Sequence, residues 1–261
     1  MKITQIRNAT VLLEFESEGR RVGVLVDPML ADAGQLPALR FKGRARRNPL
    51  VELPLEWDDL SRRTTHGLIT HCQRGHFDHL DLRGIRYLRD KGLAVFCMPR
   101  DTAYLQRRGL RTHELNARQR QPFFGGWITP VPCVHGRGWV GRIMEHGSGY
   151  LIELPNEPSL YLAGDTILSQ TVRNLLVERK PDVAVLPAGG ARFDLGGAIL
   201  MDAEDVVTAC SLTPGFIVAN HLEALDHCPT TRTSLARTAE EAGVTAQLLI
   251  PRDGQTLNFP N

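Results

Sequence analysis

The amino-acid sequence predicts an α/β protein in which strands and helices follow a similar order twice. Apolar strand runs come first, at residues 3–6, 11–15 and 22–26, and strands that alternate with helices follow them. Strand runs return from Phe123, and the alternation resumes after Tyr161. Helices that alternate with buried strands pack on the face of a sheet. We therefore expect sheets covered by helices, although no sequence repeat marks an internal duplication.

The first half of the chain opens with three strands, and the third is expected to end at Asp27-Pro28 because proline cannot continue a central ladder. Residues 28–56 contain four prolines and are expected to form a long irregular connection. The elements predicted after it are a helix carrying Leu82, Ile85 and Leu88, a strand at 93–97, and a helix capped by Asp101 that runs through Gln106 and closes at Gly109.

The second half alternates in the same way. The predicted strands cover residues 127–131, 160–163, 183–187 and 215–221, with short strands at 248–250 and 255–257. The predicted helices carry Leu168, Val172, Leu175 and Leu176, span 202–210 behind Asp202, and span Thr231–Ala242 before Gly243. Between the strands at 127–131 and 160–163, the glycines at 136, 138 and 141 together with Arg137, Trp139 and Arg142 predict a mobile, cationic and aromatic loop.

Composition and charge narrow the class of protein. A chain of 261 residues can bury a sizeable core, and we expect one domain over residues 1–261. Its 31 basic and 29 acidic residues leave a formal charge of +2, so no nucleic acid or membrane partner is expected. No apolar stretch approaches the ~20 residues of a membrane span, and no signal peptide follows Met1. Five scattered cysteines favour a reducing, cytoplasmic setting. The sequence is silent on oligomeric state.

Residues 70–81 carry the strongest functional signal, with the sequence Thr-His-Cys-Gln-Arg-Gly-His-Phe-Asp-His-Leu-Asp. Its ligand-type residues are His71, His76, Asp78 and His79, which fall within nine positions after an apolar strand. Imidazole and carboxylate groups suit zinc and its first-row neighbours. Side chains at 76, 78 and 79 are too closely spaced to point at one ion from a strand. A turn would direct them towards two adjacent ions.

Three further candidates follow predicted strands, where side chains are well placed to build a site. His135 precedes a glycine-rich turn, His221 ends the strand at 215–221, and Asp165 follows Gly164. His135 would be unremarkable alone. Aspartate is also well suited to cap a helix, so the residue type of Asp165 leaves a structural and a functional role open.

The stretch His76-Phe77-Asp78-His79, behind an apolar strand and a threonine, resembles the H-x-H-x-D-H motif of the metallo-β-lactamase superfamily. Here four residues separate His71 from His76, where the family motif has one. The strand–turn–strand–Asp-Pro start is similar to the branch of the superfamily that contains sugar-acid lactonases. That branch often has a histidine where this chain has Asn8. The resemblance extends over almost the whole length.

The resemblance implies a four-layer αββα sandwich with metals at one sheet edge. In the implied ligand set, His71, His76 and His135 hold a first ion, Asp78, His79 and His221 hold a second, and Asp165 lies between them. The expected cofactors are two divalent metal ions, zinc first, with manganese, iron and nickel compatible. Such a pair lowers the pKa of a shared water. We therefore expect a metal-dependent hydrolase with Asp78 and Asp165 as its catalytic residues.

The expected substrate is a small anionic ester, lactone or phosphodiester. The candidate substrate-binding residues are Arg137, Trp139, His146, Arg192 and His227, with Arg142 as a second cation beside Arg137. The basic run at residues 40–47 is either a solvated loop or a lid that recruits an anion. Two other classes stay open, an iron-dependent redox or sulfur-oxidising member of the superfamily and a non-catalytic metal-binding module.

Overall fold

A computed structural model describes residues 1–40, 45–73, 75–117, 119–136, 138–144, 147–194 and 197–260, with only the backbone at 139, 142 and 143. Its strands are β1 (Lys2–Arg7), β2 (Thr10–Ser17), β3 (Arg20–Val26), β4 (His66–Leu68), β5 (Ala94–Cys97), β6 (Arg111–Glu114), β7 (Gln121–Phe123), β8 (Gly126–Pro132), β9 (Ser148–Glu153), β10 (Leu160–Leu162), β11 (Val183–Pro187), β12 (Phe216–Asn220), β13 (Leu248–Leu249) and β14 (Thr256–Asn258). Its helices are α1 (Trp57–Arg63), α2 (Leu82–Asp90), α3 (Pro99–Gln106), α4 (Gly138–Ile143), α5 (Gln170–Arg179), α6 (Ala203–Cys210) and α7 (Arg232–Glu241).

The two sheets have the same arrangement of antiparallel and parallel strands. The first has the order β14-β1-β2-β3-β4-β5-β6, and the second has the order β13-β12-β11-β10-β9-β8-β7. In the first sheet the pairs from β14 to β3 are antiparallel and those from β3 to β6 are parallel. The second sheet repeats this, antiparallel from β7 to β10 and parallel from β10 to β13. The order predicted twice from the sequence is therefore present twice in the fold.

Apolar side chains at alternate strand positions fill the space between the sheets. Val11 and Leu13 of β2 share one buried cluster with Ile152 of β9 and Val185 of β11. Leu12, between them in sequence, joins a cluster on the outer face instead. Successive strand residues point to opposite faces, so each sheet has one face towards its partner and one towards helices.

Helices cover both outer faces. Ile85 of α2 and Leu105 of α3 pack on the outside of the first sheet. Leu175 of α5, Val206 of α6 and Leu235 of α7 pack on the outside of the second. The four layers form the αββα sandwich that the sequence predicts, and the parallel strands of each sheet end at one edge.

Within the described part of residues 28–56 no regular helix or strand forms, as predicted; an isolated bridge pairs Leu36 with Asn48. This connection is held by Arg7, which is fully buried. The Arg7 guanidinium donates hydrogen bonds to the carbonyl oxygens of Val51, Met29 and Ala31 at 2.9, 2.8 and 2.7 Å. Burial lowers the pKa of Arg7 to about 10, so it stays charged at neutral pH.

Two predictions about helix starts and loops are wrong. Helix α3 begins at Pro99 and has Met98 at its N-cap, whereas Asp101 lies inside its first turn. Proline favours the first position of a helix because its missing N–H is not needed there. The glycines near 138 do not form an open loop, because residues 138–143 form the short helix α4. Val140 of this helix is buried in an apolar cluster.

No helix in the described ranges is long and apolar enough to cross a bilayer.

Candidate metal centre

The candidate ligands follow the carboxyl ends of strands in both sheets. His71 comes three residues after β4, His135 three residues after β8, Asp165 three residues after β10, and His221 directly after β12. Gly164 has φ +62, and a Cβ there would lie 3.3 Å from Cβ of Thr70. The turn that delivers Asp165 therefore favours glycine for both its backbone conformation and the close approach of the two sheets.

The structure brings three histidines into a first ligand group, His71, His76 and His135, whose ligand-type atoms all lie within 4.8 Å of one another. The Nδ1 atoms of His76 and His135 lie 2.7 Å from the carbonyl oxygen of Gln73 and 2.9 Å from that of Ile199. A carbonyl only accepts, so each Nδ1 carries the proton and each Nε2 keeps its lone pair. Such outer partners orient metal-binding imidazoles.

A second ligand group contains two carboxylates and two imidazoles, Asp78, His79, Asp165 and His221, also within 4.8 Å of one another. His79 Nδ1 lies 2.8 Å from Oδ2 of Asp27. Asp27 in turn accepts hydrogen bonds from the backbone and hydroxyl of Thr70 at 2.8 and 2.5 Å. His221 Nδ1 lies 3.5 Å from Sγ of Cys228.

Asp165 joins the two groups. Its Oδ2 lies 3.1 Å from Nε2 of His79 and 3.5 Å from Nε2 of His135, so one carboxylate oxygen faces a histidine of each group. Its Oδ1 lies 3.6 Å from Nε2 of His221. The alternative role of Asp165 as a helix cap does not apply, because α5 begins at Gln170 and is capped by Ser169.

Burial and charge set the protonation of these groups. All seven side chains are buried. Burial, together with the neighbouring His79, holds the pKa of His71 well below its usual value, and burial also lowers the pKa of His135. Burial acts in the same direction on His79 and His221, but Asp165 and the other acidic groups beside them together outweigh it and raise the pKa of both.

The two carboxylates respond in the opposite sense. Burial alone would raise the pKa of Asp78 and Asp165, but His79 and His221 beside them together outweigh it and lower both values. In the described part of the chain, Nε2 of His71 and Oδ1 of Asp165 are buried without a hydrogen-bond partner. Buried polar atoms in proteins normally have a hydrogen-bond partner. Five imidazoles and two carboxylates gathered in two buried groups are a donor set that fits divalent first-row ions.

The structure describes the side chains of only two of the predicted substrate-binding residues, Arg192 and His227. Arg137 and His146 lie outside the described residues, as do the side chains of Trp139 and Arg142. Arg192 is exposed. His227 is buried and stacks on Phe193, with ring centroids 5.9 Å apart and an interplanar angle of 12°.

Three supporting residues had no role in the sequence-based prediction of the site. Asp27, Cys228 and Asn8 each contact a ligand residue from a distant part of the chain. Asn8 is fully buried, and its Nδ2 lies 3.3 Å from the carbonyl oxygen of Asp78 and 3.4 Å from Nε2 of His221. The Asp-Pro pair at a strand end was the available signal for Asp27. For Asn8 the signal was its alignment with a position that is often histidine in the lactonase branch, whereas the contact of Cys228 is tertiary and no local pattern predicted it.

Comparison with known proteins defines the class to which this fold and site belong. The β-lactamase superfamily domain matches residues 23–222, and the chain belongs to this superfamily. The UPF0173 protein YddR of Bacillus subtilis (strain 168) is 29% identical over 266 residues, which cover 99% of this chain and 100% of that protein. A UPF0173 metal-dependent hydrolase of Exiguobacterium sp. is 28% identical over 219 residues, covering 82% of this chain and 84% of the relative.

A solved structure extends the likeness to the fold. The crystal structure of isothiocyanate hydrolase from Delia radicum gut bacteria has a TM-score of 0.87 and 31% identity, covering 99% of both chains. The chain is thus a metal-dependent hydrolase with the metallo-β-lactamase fold, as its sequence predicted.

Proposed function

We propose that the chain hydrolyses a small substrate with two divalent metal ions held by the two ligand groups. The first ion is assigned to His71, His76 and His135, the second to Asp78, His79 and His221, and Asp165 is placed between them. The observation that carries this assignment is the position of Asp165 Oδ2, 3.1 Å from His79 Nε2 and 3.5 Å from His135 Nε2. A carboxylate between two cations offsets their repulsion. Zinc is the expected ion, and manganese, iron or nickel would accept the same donors.

When bound, such ions supply a water of lowered pKa and polarise the bond that it attacks. The residues of the chain supply orientation. Asp78 is kept ionised by His79 and His221, so its carboxylate accepts a hydrogen bond and orients the attacking water. Asp165 fixes the separation of the two groups. The buried position of all these side chains excludes bulk water, which strengthens each electrostatic contact.

The substrate proposed here is a small electrophile with an apolar substituent, and an isothiocyanate is the first choice. An apolar cluster adjoins both ligand groups, since it contains Ile199, whose carbonyl binds His135, and Cys228, which contacts His221. Phe193 and Met144 belong to this cluster and are only partly buried. The similarity to isothiocyanate hydrolase over 99% of both chains supports the same choice. Hydrolysis of an isothiocyanate adds one water and gives a primary amine and carbonyl sulfide, which balances without another reactant.

The sequence predicts an anionic substrate, but the described residues support that prediction less than they support a substrate with an apolar substituent. Of the basic run, Arg40 lies 3.3 Å from a carboxylate oxygen of Asp194. Arg47 donates to the carbonyl oxygens of Gly34 and Gln35. Cations that bond to their own chain are less available to a substrate, which favours a structural role for this run. Lys42 and Arg44 lie outside the described residues.

We also place the enzyme in a reducing, cytoplasmic compartment. All five cysteines of the chain are buried thiols outside any disulfide, and Cys228 contacts a proposed ligand. Reduced cysteines of this kind are typical of proteins that do not pass through an oxidising compartment.

The test is a substrate panel on protein stripped with a chelator and reloaded with zinc or manganese. We expect amine release from an alkyl or aryl isothiocyanate that requires the metal and is lost in Asp78→Ala. A neutral lactone, an anionic lactone, a phosphodiester and a thioester form the comparison set. Turnover of the phosphodiester or the anionic lactone with none of the isothiocyanate would contradict the proposed substrate. Equal turnover with and without metal would contradict the proposed mechanism.

A further inference from the structure

The chain departs from the family motif by the residues between His71 and His76. Four residues, 72–75, stand there, and Arg74 among them lies outside the described residues. The two imidazoles nevertheless approach each other, with ring centroids 4.4 Å apart. A longer loop has more conformations to lose, so something must fix its course if both histidines are to serve one ion.

Gln73 makes contacts in two directions from the middle of this loop. Its carbonyl oxygen accepts a hydrogen bond from Nδ1 of His76 at 2.7 Å and another from the backbone N–H of His76 at 3.2 Å. Its side-chain Nε2 donates to the carbonyl oxygen of Arg100 at 2.6 Å and to Oδ1 of Asp101 at 3.1 Å. One residue therefore connects the His76 ring to helix α3.

The first turn of α3 is a fixed platform for this contact. Asp101 is fully buried and also lies 3.6 Å from Sγ of Cys72, the residue after His71. Leu105, one turn later, is fully buried against the first sheet. Oδ1 of Asp101 meets both Gln73 and Cys72, two residues of the loop between His71 and His76, so α3 holds this loop at two neighbouring positions.

We propose that Gln73 is a positioning residue for the first metal ion. Its side chain ties the loop to α3, and its carbonyl then fixes the tautomer and direction of the His76 imidazole. The inference rests on the proposed two-metal site and adds a residue to it that does not touch the metal. Outer partners of metal-binding histidines typically change metal affinity about 10–100-fold when they are removed.

The primary test is Gln73→Met, which keeps length and the backbone carbonyl but removes both side-chain donors. The matched control is Gln106→Met, because Gln106 lies on α3, the helix that Gln73 contacts. Its side chain is exposed and is bonded only to Thr112 among the partners described. Zinc affinities of both sites would be measured by competition with a chromophoric chelator, beside the visible spectrum of the cobalt-substituted protein. We expect Gln73→Met to weaken one of the two sites about 10–100-fold and to alter its cobalt spectrum, with Gln106→Met unchanged in both.

A second pair of variants separates positioning from general stability. If Gln73 acts through His76, adding Gln73→Met to His76→Ala should leave zinc affinity unchanged from His76→Ala alone. Asp101→Asn keeps an acceptor for the Gln73 amide, so it should lose less zinc affinity than Gln73→Met. A further loss in the double variant, or wild-type affinities and spectrum in Gln73→Met, would overturn the inference. Wild-type protein that does not bind two ions would instead overturn the proposed function, so the two failures are distinguishable.

Discussion

The two ligand groups differ in charge and in what holds them. The first group consists of three imidazoles, and oxygen atoms of Thr70, Gln73 and Ile199 lie within 3.1 Å of their Nδ1 atoms. The second combines two carboxylates with two imidazoles, and its outer partners are the carboxylate of Asp27 and the thiol of Cys228. The first group therefore contains no carboxylate of its own and is held by hydrogen bonds to neutral groups. The second is charged, and its two histidines have partners of very different strength.

This difference determines where protons sit before metal binds. In the first group, burial is the main cause that lowers the pKa of His71 and of His135. His79 and His221 are shifted upward by Asp165 against the effect of burial. A metal ion entering the first group meets the free lone pairs of His71 and His135, whereas an ion entering the second must displace protons from His79 and His221.

The largest effect is expected from removing the charge that both groups share. Asp165→Asn keeps the size of the side chain but removes the negative charge between the ions. We expect the folded protein to bind no more than one ion per chain and turnover to fall by more than the ~100-fold typical of outer-partner losses. Metal analysis after dialysis, with circular dichroism as the folding control, checks this. Two ions per chain with unchanged turnover would show that Asp165 is not shared.

A smaller effect should separate the two outer partners of the second group. Asp27→Asn replaces a charged acceptor of His79 by a neutral one, and we expect about a 10–100-fold loss of affinity for the second ion. Cys228→Ala removes only a weak thiol contact, so less than about tenfold is expected. The comparison would be contradicted if Cys228→Ala cost more affinity than Asp27→Asn in the same zinc competition assay.

The pH dependence of binding should distinguish the groups. His79 and His221 have a pKa above the usual 6.5 and are protonated below it, so zinc affinity of the second group should fall as pH is lowered from 8 to 6. His71 and His135 have a pKa below 6.5 and have little proton to lose over that range.

Calorimetry in two buffers of different ionisation enthalpy counts the protons released. The second group would be measured in His76→Ala and the first in His221→Ala. Greater proton release in His221→Ala than in His76→Ala would reverse the assignment of charge to the two groups.

The smallest effect is expected at Asn8. Its amide contacts the backbone of Asp78 and the ring of His221, and its backbone has φ +56. Asn8→Gly removes the side chain without backbone strain, because glycine adopts positive φ freely. Loss of one hydrogen bond of about 1 kcal/mol predicts roughly fivefold weaker binding of the second ion. We expect no change in affinity for the first ion. A loss of affinity confined to the first ion would show that Asn8 supports the first ligand group and not the second.

The strand ends were predictable because hydrophobic patterning marks where buried strands stop. His71, His135, Asp165 and His221 each follow such a strand, and the structure brings them together within a few ångströms. The sequence also predicted that strands followed by strand–helix alternation occur twice, but it did not predict the order of the strands within each sheet. A local pattern thus located most of the site, since the fold places parallel strand ends along one edge.

The helix starts and the short helix α4 could not be predicted in the same way. Several residues near each helix start can serve as a cap, and the local sequence does not show which of them does so. Asp101 and Asp165 are both good N-caps, but Pro99 and Ser169 set the helix starts instead. Helix α4 forms at a glycine-rich stretch, where Val140 packs in an apolar cluster with residues of distant loops. Tertiary packing there overrides the low helix propensity of glycine. For the same reason, the contacts of Asp27 and Cys228 with ligand histidines became visible only in three dimensions.

The proposed function requires two metal ions, one on either side of Asp165. The most direct test is a crystal of zinc-loaded protein with anomalous diffraction recorded above and below the zinc edge. We predict two peaks about 3.5–4 Å apart, one beside His71, His76 and His135 and the other beside Asp78, His79 and His221. A single peak, or peaks that leave either group without an ion, would contradict it.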